Sequence, residues 1–256
     1  MNRILFEKSE IVGGVAKFGG ARAAHVLEIL HGEKGQKLKT GEIDGPVGFS
    51  EITDISLDGG EPFVTVRTCH REESVAPWVD IILAPPRPRA MKRLLPQLAA
   101  MGAGRIVLAG AKKVEKDFWG ATLLKEENFR PLLIDGMMQA GTSILPTLEI
   151  RRNFKRFVED EIDSVFPSRR RIFAHPYAGE SALPPPGGQG RLLLAIGPEG
   201  GWTSEETSLL ESKGFAGFSL GARILKTETA AIALLAVLGK DYDTAANPPA
   251  NAATIG

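Results

Sequence analysis

The fold of the carboxyl-terminal part of this chain is decided by two stretches, Leu192–Trp202 (LLLAIGPEGGW) and Ser219–Ala230 (SLGARILKTETA). In each stretch an apolar segment runs into a glycine-bearing turn, and the turn leads into a helix-forming segment. Turns that follow neighbouring strands meet at the carboxyl edge of an open α/β sheet, where such folds bind ligands. Glycine lets the backbone approach a ligand without an intervening Cβ atom. These stretches therefore predict a small-molecule pocket.

The elements around the two turns alternate between strands and helices, which predicts an α/β fold with a mostly parallel sheet covered by helices on both faces. The predicted strands are 79–84, 105–109, 171–174, 191–196 and 217–220, and the predicted helices lie near 89–101, 122–141, 152–160, 203–213 and 227–239. Residues 177–190 are rich in proline and glycine and are expected to form an exposed loop. The segment from Asp241 onward is expected to be disordered.

The first part of the chain has a different pattern, with short strand candidates separated by Gly-Gly, Asp-Gly and Gly-Pro turn signals. The strand candidates are 4–6, 13–16, 36–39, 47–55 and 63–68. One segment, 21–30, is rich in helix formers and ends at Gly32. A compact β-barrel that carries one helix fits this order, and residues 71–78 are expected to be a charged linker.

Composition limits the classes of protein that this chain can be. With 31 Lys+Arg and 31 Asp+Glu, no global field draws it onto nucleic acid. Basic residues cluster near 87–93, 151–156 and 169–171; each cluster alone fits a solvated helix face, but together they would bind phosphates if the fold gathered them. A single cysteine, Cys69, and the absence of a signal peptide or an apolar span predict a cytoplasmic protein. Cys69-His70 does not predict a metal site.

The turn at 197–201 is not a P-loop, because no Gly-Lys-Ser/Thr follows it. The Gly-x-Gly at 102–104 follows a predicted helix and is interpreted as a helix C-cap. Thr203 or Ser204 is expected to cap the next helix. Glu199 has two interpretations of equal weight: a turn carboxylate that accepts hydrogen bonds from nearby amides, or a carboxylate of the binding site.

Taken together, the two motifs resemble the small-subunit (16S) ribosomal RNA uracil-N3 methyltransferase family of the SPOUT superfamily, whose members use S-adenosylmethionine. The shared residues are Ile-Gly-Pro-Glu-Gly-Gly from Ile196, and Leu-Gly-x-Arg-Ile-Leu-Lys-Thr-Glu-Thr-Ala from Leu220. The segment His25–Gln36 also echoes the amino-terminal signature of that family. The resemblance thus covers nearly the whole chain.

The resemblance implies a PUA-like β-barrel at 1–72 that helps to hold RNA and a SPOUT domain with a deep carboxyl-terminal trefoil knot at 79–240; the tail expected from its composition is 241–256. The resemblance also implies a homodimer through the knot region, with small-subunit ribosomal RNA as the partner and no metal. The residues carried over as binding S-adenosylmethionine are His175, Pro176, Ile196, Gly197, Pro198, Glu199, Gly200, Gly201, Leu220, Gly221, Ile224, Leu225 and Thr227.

The N3 proton of uracil must leave during methylation, so the site needs a base, which the sequence does not identify, or a group that stabilises negative charge on the uracil oxygens. The candidates for this role are Arg223 or Lys226, with Glu228 orienting one of them; a surface cation and a helix cap are their alternative roles. The candidates for RNA contact are Arg22, His25, Arg87, Arg89, Lys92 and Arg93.

The chain departs from the family pattern at several charged positions. Uncharged Ala100, Met138 and Thr142 lie in segments where the family has charged residues, and Lys226 replaces an arginine, which keeps the charge but loses the planar fork. These changes leave two alternatives to uridine N3 methylation. One is a methyltransferase with a different RNA target, and the other is a diverged RNA- or ribosome-binding protein without catalysis.

Overall fold

A computed structural model describes residues 2–167, 170–177 and 190–246 of the protein. The chain forms two compact units, one from residues 1–76 with 133–145, the other from 77–132 with 146–256. The predicted second domain, 79–240, therefore contains a segment that belongs to the first unit. The reason is backbone hydrogen bonding: the carbonyl oxygen of Met138 accepts from the amides of Asn2 and Arg3, each at 3.1 Å.

The first unit contains a six-stranded sheet with the strand order β1-β4-β5-β6-β3-β2. The strands are β1 Ile4–Phe6, β2 Ile11–Val12, β3 Val15–Phe18, β4 Lys37–Glu42, β5 Val47–Asp58 and β6 Glu61–Glu72. Strand β1 pairs parallel to β4, whereas the other pairs are antiparallel. Because β6 extends to Glu72, the first residues of the predicted linker belong to the sheet.

One helical segment packs on this sheet, as the sequence predicts. It begins as helix α1, Gly20–Ala24, and continues as a π-helical turn, His25–Ile29. The buried core between helix and sheet is apolar and includes Phe6, Phe18, Ala23, Val26, Ile52, Val64 and Val66. Burial of these side chains stabilises the unit, since each large apolar side chain contributes about 1.5–3 kcal/mol.

The second unit is built on a six-stranded sheet with the order β12-β10-β11-β7-β8-β9. All of its pairs are parallel, so the predicted fold class, α/β with a parallel sheet, is confirmed. The strands are β7 Val79–Leu83, β8 Ala103–Ala109, β9 Thr147–Arg151, β10 Arg171–Ala174, β11 Leu192–Ile196 and β12 Phe215–Phe218. Every residue of β11 is buried, as expected for a strand covered on both faces.

Helices connect the strands of this sheet. They are α2 Pro88–Ala100, α3 Glu126–Ala140, α4 Phe154–Arg156, α5 Ile162–Val165, α6 Ser204–Ser212 and α7 Thr227–Ala246, with a π-helical turn, Phe157–Glu161, between α4 and α5. Gly102 follows α2 with φ +87°, which agrees with the predicted C-cap. None of the helices in the described ranges is long and apolar enough to cross a bilayer.

Three predictions of element boundaries need correction. Strand β9 was not predicted. Strand β12 begins at Phe215, two residues earlier than predicted, because Gly214 with φ +77° turns the chain directly after α6. Helix α7 runs to Ala246, although disorder was predicted from Asp241. The rest of the predicted tail, 247–256, and most of the predicted loop, 178–189, lie outside the described residues.

Candidate ligand-binding site

A cavity of about 370 Å³ lies at the carboxyl ends of the adjacent strands β10, β11 and β12. Its volume is in the range of small-molecule pockets, and its position is the one where parallel sheets bind ligands. The wall includes all of the residues that the resemblance assigns to a cofactor: His175, Pro176, Ile196, Gly197, Pro198, Glu199, Gly200, Gly201, Leu220, Gly221, Ile224, Leu225 and Thr227. The structure therefore brings both glycine turns into one site.

The wall also contains residues that the sequence did not single out. They are Lys113, Tyr177, Phe218 and Leu234, and they join Ala174, Trp202 and Ala230, which belong to the predicted loops or to the quoted motifs. Most of them are apolar, which is typical of pockets that exclude water from a bound ligand. Lys113 is different because it comes from the loop that follows β8, far from the other wall residues in sequence.

The first glycine loop, Gly197–Trp202, has a turn held by hydrogen bonds. The amide of Gly201 donates to the carbonyl of Pro198 at 2.8 Å, and Gly201 has φ +69°. The ammonium group of Lys113 donates to the carbonyl of Gly200 at 2.7 Å. A Cβ atom added to Gly200 would lie 2.9 Å from Cδ of Lys113, so the glycine allows this close approach. The loop is therefore fixed in part by a side chain from another strand end.

The start of α6 holds the same loop from its other end. The hydroxyl of Thr203 accepts from the amide of Glu206 at 3.3 Å, and the carboxylate of Glu206 accepts from the amide of Thr203 at 2.8 Å. This is a capping box, and it confirms Thr203 as the N-cap. The other oxygen of the buried Glu206 carboxylate accepts from the amide of Lys112 at 2.8 Å. Glu206 thus joins α6 to the loop that carries Lys113.

The second glycine loop, Ser219–Lys226, follows β12 and has fewer such contacts. Residues 221–226 are all exposed. Near its start, the hydroxyl oxygen of Ser219 lies 3.0 Å from the carbonyl oxygen of Pro176 and accepts from the amide of Gly221 at 3.1 Å. Gly221 has φ +106°, which L-amino acids with a side chain rarely adopt. At the end of the loop, Thr227 begins α7, and its hydroxyl donates to the carbonyl of Gly197 at 3.2 Å.

The segment after β10, His175–Tyr177, completes the wall. The amide of His175 donates to the carbonyl of Phe218 at 3.0 Å, which continues the pairing of β10 with β12. Nδ1 of the His175 ring accepts from the amide of Tyr177 at 3.2 Å. This contact holds the His175 ring against the backbone of the segment.

The predicted catalytic residues do not lie together. Arg223 is exposed and lines the cavity. Lys226 is exposed as well, but it lies outside the wall that the described residues form. One oxygen of Glu228 is 3.9 Å from the guanidinium of Arg93, and the other is buried without a hydrogen-bond partner among the described residues. Of the three, only Arg223 is therefore placed to touch a ligand in the cavity.

Among the predicted RNA contacts, Arg22 has a structural role in the first unit. Its guanidinium forms an ion pair with Glu10 at 2.5 Å and donates to the carbonyl of Leu5 at 3.0 Å. The hydrogen bond from Arg22 is the main cause of the lowered pKa of Glu10. His25 is half-buried at the start of the π-helical turn.

The other predicted RNA contacts lie at the start of α2. Arg89, Lys92 and Arg93 are exposed. Arg87 donates to the carboxylate of Glu115 at 3.0 Å. The hydrogen bond and charge of Glu115, followed by the charge of Glu199, raise the pKa of Arg87. Glu199 also lines the cavity.

Several described residues of the remaining basic clusters pair with acidic neighbours. Arg151 pairs with Glu149 at 2.9 Å and with Glu161 at 2.8 Å. In the third cluster, Arg171 is largely buried and pairs with Asp163 at 2.6 Å, whereas residue 169 lies outside the described ranges. Acidic neighbours thus offset these charges.

Comparison with known proteins identifies the family. Residues 72–239 match the family described as RNA methyltransferase domain. The ribosomal RNA small subunit methyltransferase E of Treponema pallidum is 30% identical over 248 residues, which cover 93% of this chain and 90% of that protein. The ribosomal RNA small subunit methyltransferase E 1 of Borreliella burgdorferi is 23% identical and covers 91% of this chain and 95% of its own length.

A solved structure agrees with this result at the level of the fold. The ribosomal RNA small subunit methyltransferase E of Neisseria gonorrhoeae, bound to S-adenosyl methionine, has a TM-score of 0.72 at 19% identity and covers 94% of this chain and 97% of its own. The match of residues 72–239 spans the whole cavity wall. The chain therefore belongs to the RNA methyltransferase domain family, which confirms the resemblance that its two glycine motifs predict.

Proposed function

We propose that the protein transfers the methyl group of S-adenosylmethionine to N3 of a uridine in small-subunit (16S) ribosomal RNA. The observation that carries this proposal is the single cavity that contains both glycine loops within an RNA methyltransferase domain. The relatives in Treponema and Borreliella are named as small-subunit ribosomal RNA methyltransferases, and the similar Neisseria structure is bound to S-adenosyl methionine.

The residues of the cavity fit S-adenosylmethionine. Ile196 and Leu234 provide apolar surface for an adenine ring, and the glycine loops provide backbone amides and carbonyls for polar groups. The exposed carboxylate of Glu199 provides a negative charge near a donor that carries a sulfonium and an ammonium group. A Cβ atom at Gly197 would lie 3.1 Å from the Trp202 indole, so a larger residue there would shift the wall. When bound, this cofactor supplies an activated methyl group.

The protein contributes position and charge to the reaction. Arg223 lies at the cavity wall and is free of ion pairs among the described residues, so its guanidinium can stabilise negative charge on the uracil oxygens as the N3 proton leaves. Lys226, three residues further on, adds positive charge near the same loop. Glu228 acts indirectly by pairing with Arg93 on α2. The apolar wall excludes water from the reacting groups.

The RNA would lie along the exposed cations Arg87, Arg89, Lys92 and Arg93 at the start of α2. These side chains can neutralise phosphates without reading the base sequence. The first unit, which we propose to be a PUA-like barrel, would hold RNA outside the catalytic centre. In the second unit we propose the trefoil knot of the SPOUT superfamily, in which α7 follows the second glycine loop; the bond from Thr227 to Gly197 supports this arrangement.

We propose in addition that the protein acts as a homodimer through α7 and the second glycine loop. Apolar side chains there face solvent, with exposed fractions of 72% for Ile224, 39% for Ile232 and 50% for Val237. A second copy would cover this apolar surface, as symmetric interfaces do.

Methyl transfer to a different RNA position and RNA binding without catalysis are the other candidates. The departures at Ala100, Met138 and Thr142 favour them, because a charge lost from the substrate side would alter the target. The structure weakens that inference for Met138, whose side chain is buried and whose carbonyl holds the amino terminus of the first unit.

The decisive experiment combines labelling with nucleoside mapping. The protein is incubated with radiolabelled S-adenosylmethionine and with small ribosomal subunits from a strain that lacks the modification. We expect label in 3-methyluridine at one site, and none with Arg223→Ala. Label in another nucleoside would identify a different target. Calorimetry that detects no binding of S-adenosylmethionine would eliminate the enzyme and leave RNA binding without catalysis.

A further inference from the structure

The outward face of the first sheet carries an aromatic side chain among positive charges. On β5, Phe49 alternates with the buried residues Gly48 and Ser50, so its ring points away from the core. It is 45% exposed, although it lies in the middle of the sheet order, with β4 on one side and β6 on the other. We call this surface the Phe49 face; it consists of Lys37, Lys39, Phe49, Glu51, Arg67 and Cys69.

The register of the strands fixes the neighbours of Phe49. Lys39 on β4 and Cys69 on β6 lie directly opposite Phe49 on its two sides. In the next outward row, Lys37 and Arg67 flank Glu51 in the same way. Directly opposite residues in antiparallel strands have Cβ atoms about 4.5–5.5 Å apart, and diagonal ones are about 7–8 Å apart. Lys39 therefore lies beside the ring, and Lys37 and Arg67 lie diagonally from it in the row that contains Glu51.

The cations of this face are available to a ligand. Lys37, Lys39 and Arg67 are exposed, and no ion pair among the described residues engages them. Glu51 is the acidic member of the two rows, so the face has an excess of positive charge. Single exposed apolar residues are common on protein surfaces and need no explanation. An exposed ring near three cations that form no ion pair among the described residues is a more specific feature than a single exposed apolar side chain.

This combination fits a single-stranded nucleic acid. Unpaired bases stack on exposed aromatic rings, and the phosphates on either side of the base pair with lysine and arginine. A protein partner would need an acidic apolar surface, whereas RNA supplies regularly spaced negative charges together with flat apolar bases. Bases inside a duplex are already stacked on each other, so a duplex cannot use the ring in this way.

We propose that the Phe49 face binds single-stranded RNA, with one unpaired base stacked on Phe49 and the adjacent phosphates held by Lys37, Lys39 and Arg67. The choice of RNA over other single strands rests on the proposed function, since the substrate would be ribosomal RNA. The proposal goes beyond it by assigning a base-stacking site to the first unit, separate from the cavity and from the cations of α2.

Binding of a fluorescein-labelled unstructured dodecamer RNA to the full-length protein, measured by anisotropy, tests the site. We expect Phe49→Ala to weaken binding about tenfold, because stacking of one base is lost. Phe49→Trp should keep the affinity within about twofold, because its ring also stacks. Leu57→Ala is the matched control: Leu57 lies on the same strand, is 78% exposed and pairs with Pro62 instead of a cation. Equal affinities for Phe49→Ala and Leu57→Ala would overturn the proposal.

The salt dependence of RNA affinity tests the contribution of the cations separately. Each phosphate contact contributes about 0.7 to the slope of log affinity against log salt for single strands, so Lys39→Gln should make that slope shallower by about this amount. Thermal unfolding of each variant shows whether it folds. A variant that folds and keeps the wild-type salt slope would contradict the phosphate contact.

Cys69 offers a probe that needs no substitution. It is the single cysteine of the chain, it is exposed, and it lies directly opposite Phe49. A bound strand should slow the reaction of Cys69 with N-ethylmaleimide severalfold, whereas the same sequence annealed into a duplex should protect it less. Protection by the duplex equal to that by the single strand would contradict stacking on Phe49.

These measurements separate the proposal from the proposed function. Loss of methyl transfer with intact, Phe49-dependent RNA binding would reject the activity and keep the binding face. Methyl transfer together with RNA binding that is independent of Phe49 would keep the activity and reject the binding face.

Discussion

The two glycine loops of the cavity follow β11 and β12, which β10 separates in the sheet, and they are held very differently. The first, Gly197–Trp202, is tied by the Lys113 ammonium and by the capping box of α6. The second, Ser219–Lys226, is exposed over residues 221–226 and is anchored at its two ends. The wall formed by the first loop is therefore preformed. The wall formed by the second loop depends on the backbone conformation of Gly221 and on the molecule that covers the loop.

The two loops therefore differ in how much binding free energy is used to order them. A preformed wall costs little to organise when a ligand arrives, because its backbone is already fixed. The exposed wall must be ordered by the ligand or by a second copy, so part of the binding free energy is used for that ordering. Substitutions in the first loop should therefore change stability and affinity together, and those in the second mainly affinity.

The largest effect is expected from Gly221→Val. Gly221 has φ +106°, which valine cannot adopt without strain, so the exposed loop should change shape. We expect affinity for S-adenosylmethionine to fall about 100-fold or more in calorimetry, with little change in the free energy of unfolding. Ala222→Val, at the next exposed position, is the control. Donor binding by Gly221→Val within about twofold of the wild type would show that this loop is not part of the site.

Glu206→Ala tests the preformed wall. Its buried carboxylate accepts from the amides of Thr203 and Lys112, so the substitution leaves both donors without their partner. We expect the free energy of unfolding to fall by about 2 kcal/mol, measured by urea denaturation. Glu205→Ala, in the same helical turn but exposed, should change it by less than about 0.5 kcal/mol. Equal effects of the two variants would refute the anchoring role of Glu206.

Lys113→Met should have an intermediate effect on donor binding. The variant keeps the length of the side chain but loses the hydrogen bond to the carbonyl of Gly200. A hydrogen bond from a charged group contributes about 1.5–3 kcal/mol, and exposure of Lys113 reduces this, so we expect donor affinity to fall about tenfold. Lys112→Met is matched, because Lys112 uses its backbone amide for Glu206. If both variants bind the donor equally, Lys113 does not position the loop.

The smallest effect is expected for His70, which lies in the first unit and outside both loops. Burial lowers the pKa of His70 below its ordinary value of 6.5, with Glu42 opposing this and Arg3 adding to it. The folded protein then binds fewer protons than the unfolded chain, so stability is complete above pH 6.5 and falls as the pH decreases through the lower, folded pKa.

We expect this loss to be at most about 1 kcal/mol, because the ring is half-exposed. His70→Asn should flatten the pH dependence of urea denaturation between pH 7 and 5. An unchanged slope in this variant would assign the pH dependence to other groups.

Parts of the molecule could be predicted from the sequence where the residues that indicate them are adjacent in the chain. The apolar run of β11 and the glycines after it lie within one short stretch, so the pocket wall followed from adjacent residues. Strand β9 was missed because it is an edge strand with half-buried residues, among them Glu149 and Arg151, and has no continuous apolar run.

Contacts between distant parts of the chain could not be predicted. Lys113 reaches Gly200 across 87 residues, and nothing in the sequence around either residue indicates the other. Arg223 and Lys226 were equal candidates in sequence, but the path of the exposed loop places only Arg223 in the cavity wall. Arg22 pairs with Glu10, and nothing in the sequence around Arg22 indicates that partner.

The discontinuous first unit has a consequence for the protein while it is being made. Residues 1–76 leave the ribosome before residues 133–145, which complete the same unit, have been translated. Translation adds about 5–20 residues per second. The amides of Asn2 and Arg3 therefore wait several seconds for Met138, whose carbonyl accepts their hydrogen bonds. Strands β7 and β8 and helix α2 of the other unit are synthesised during this wait. The amino-terminal unit therefore begins first but cannot be finished before half of the chain has emerged.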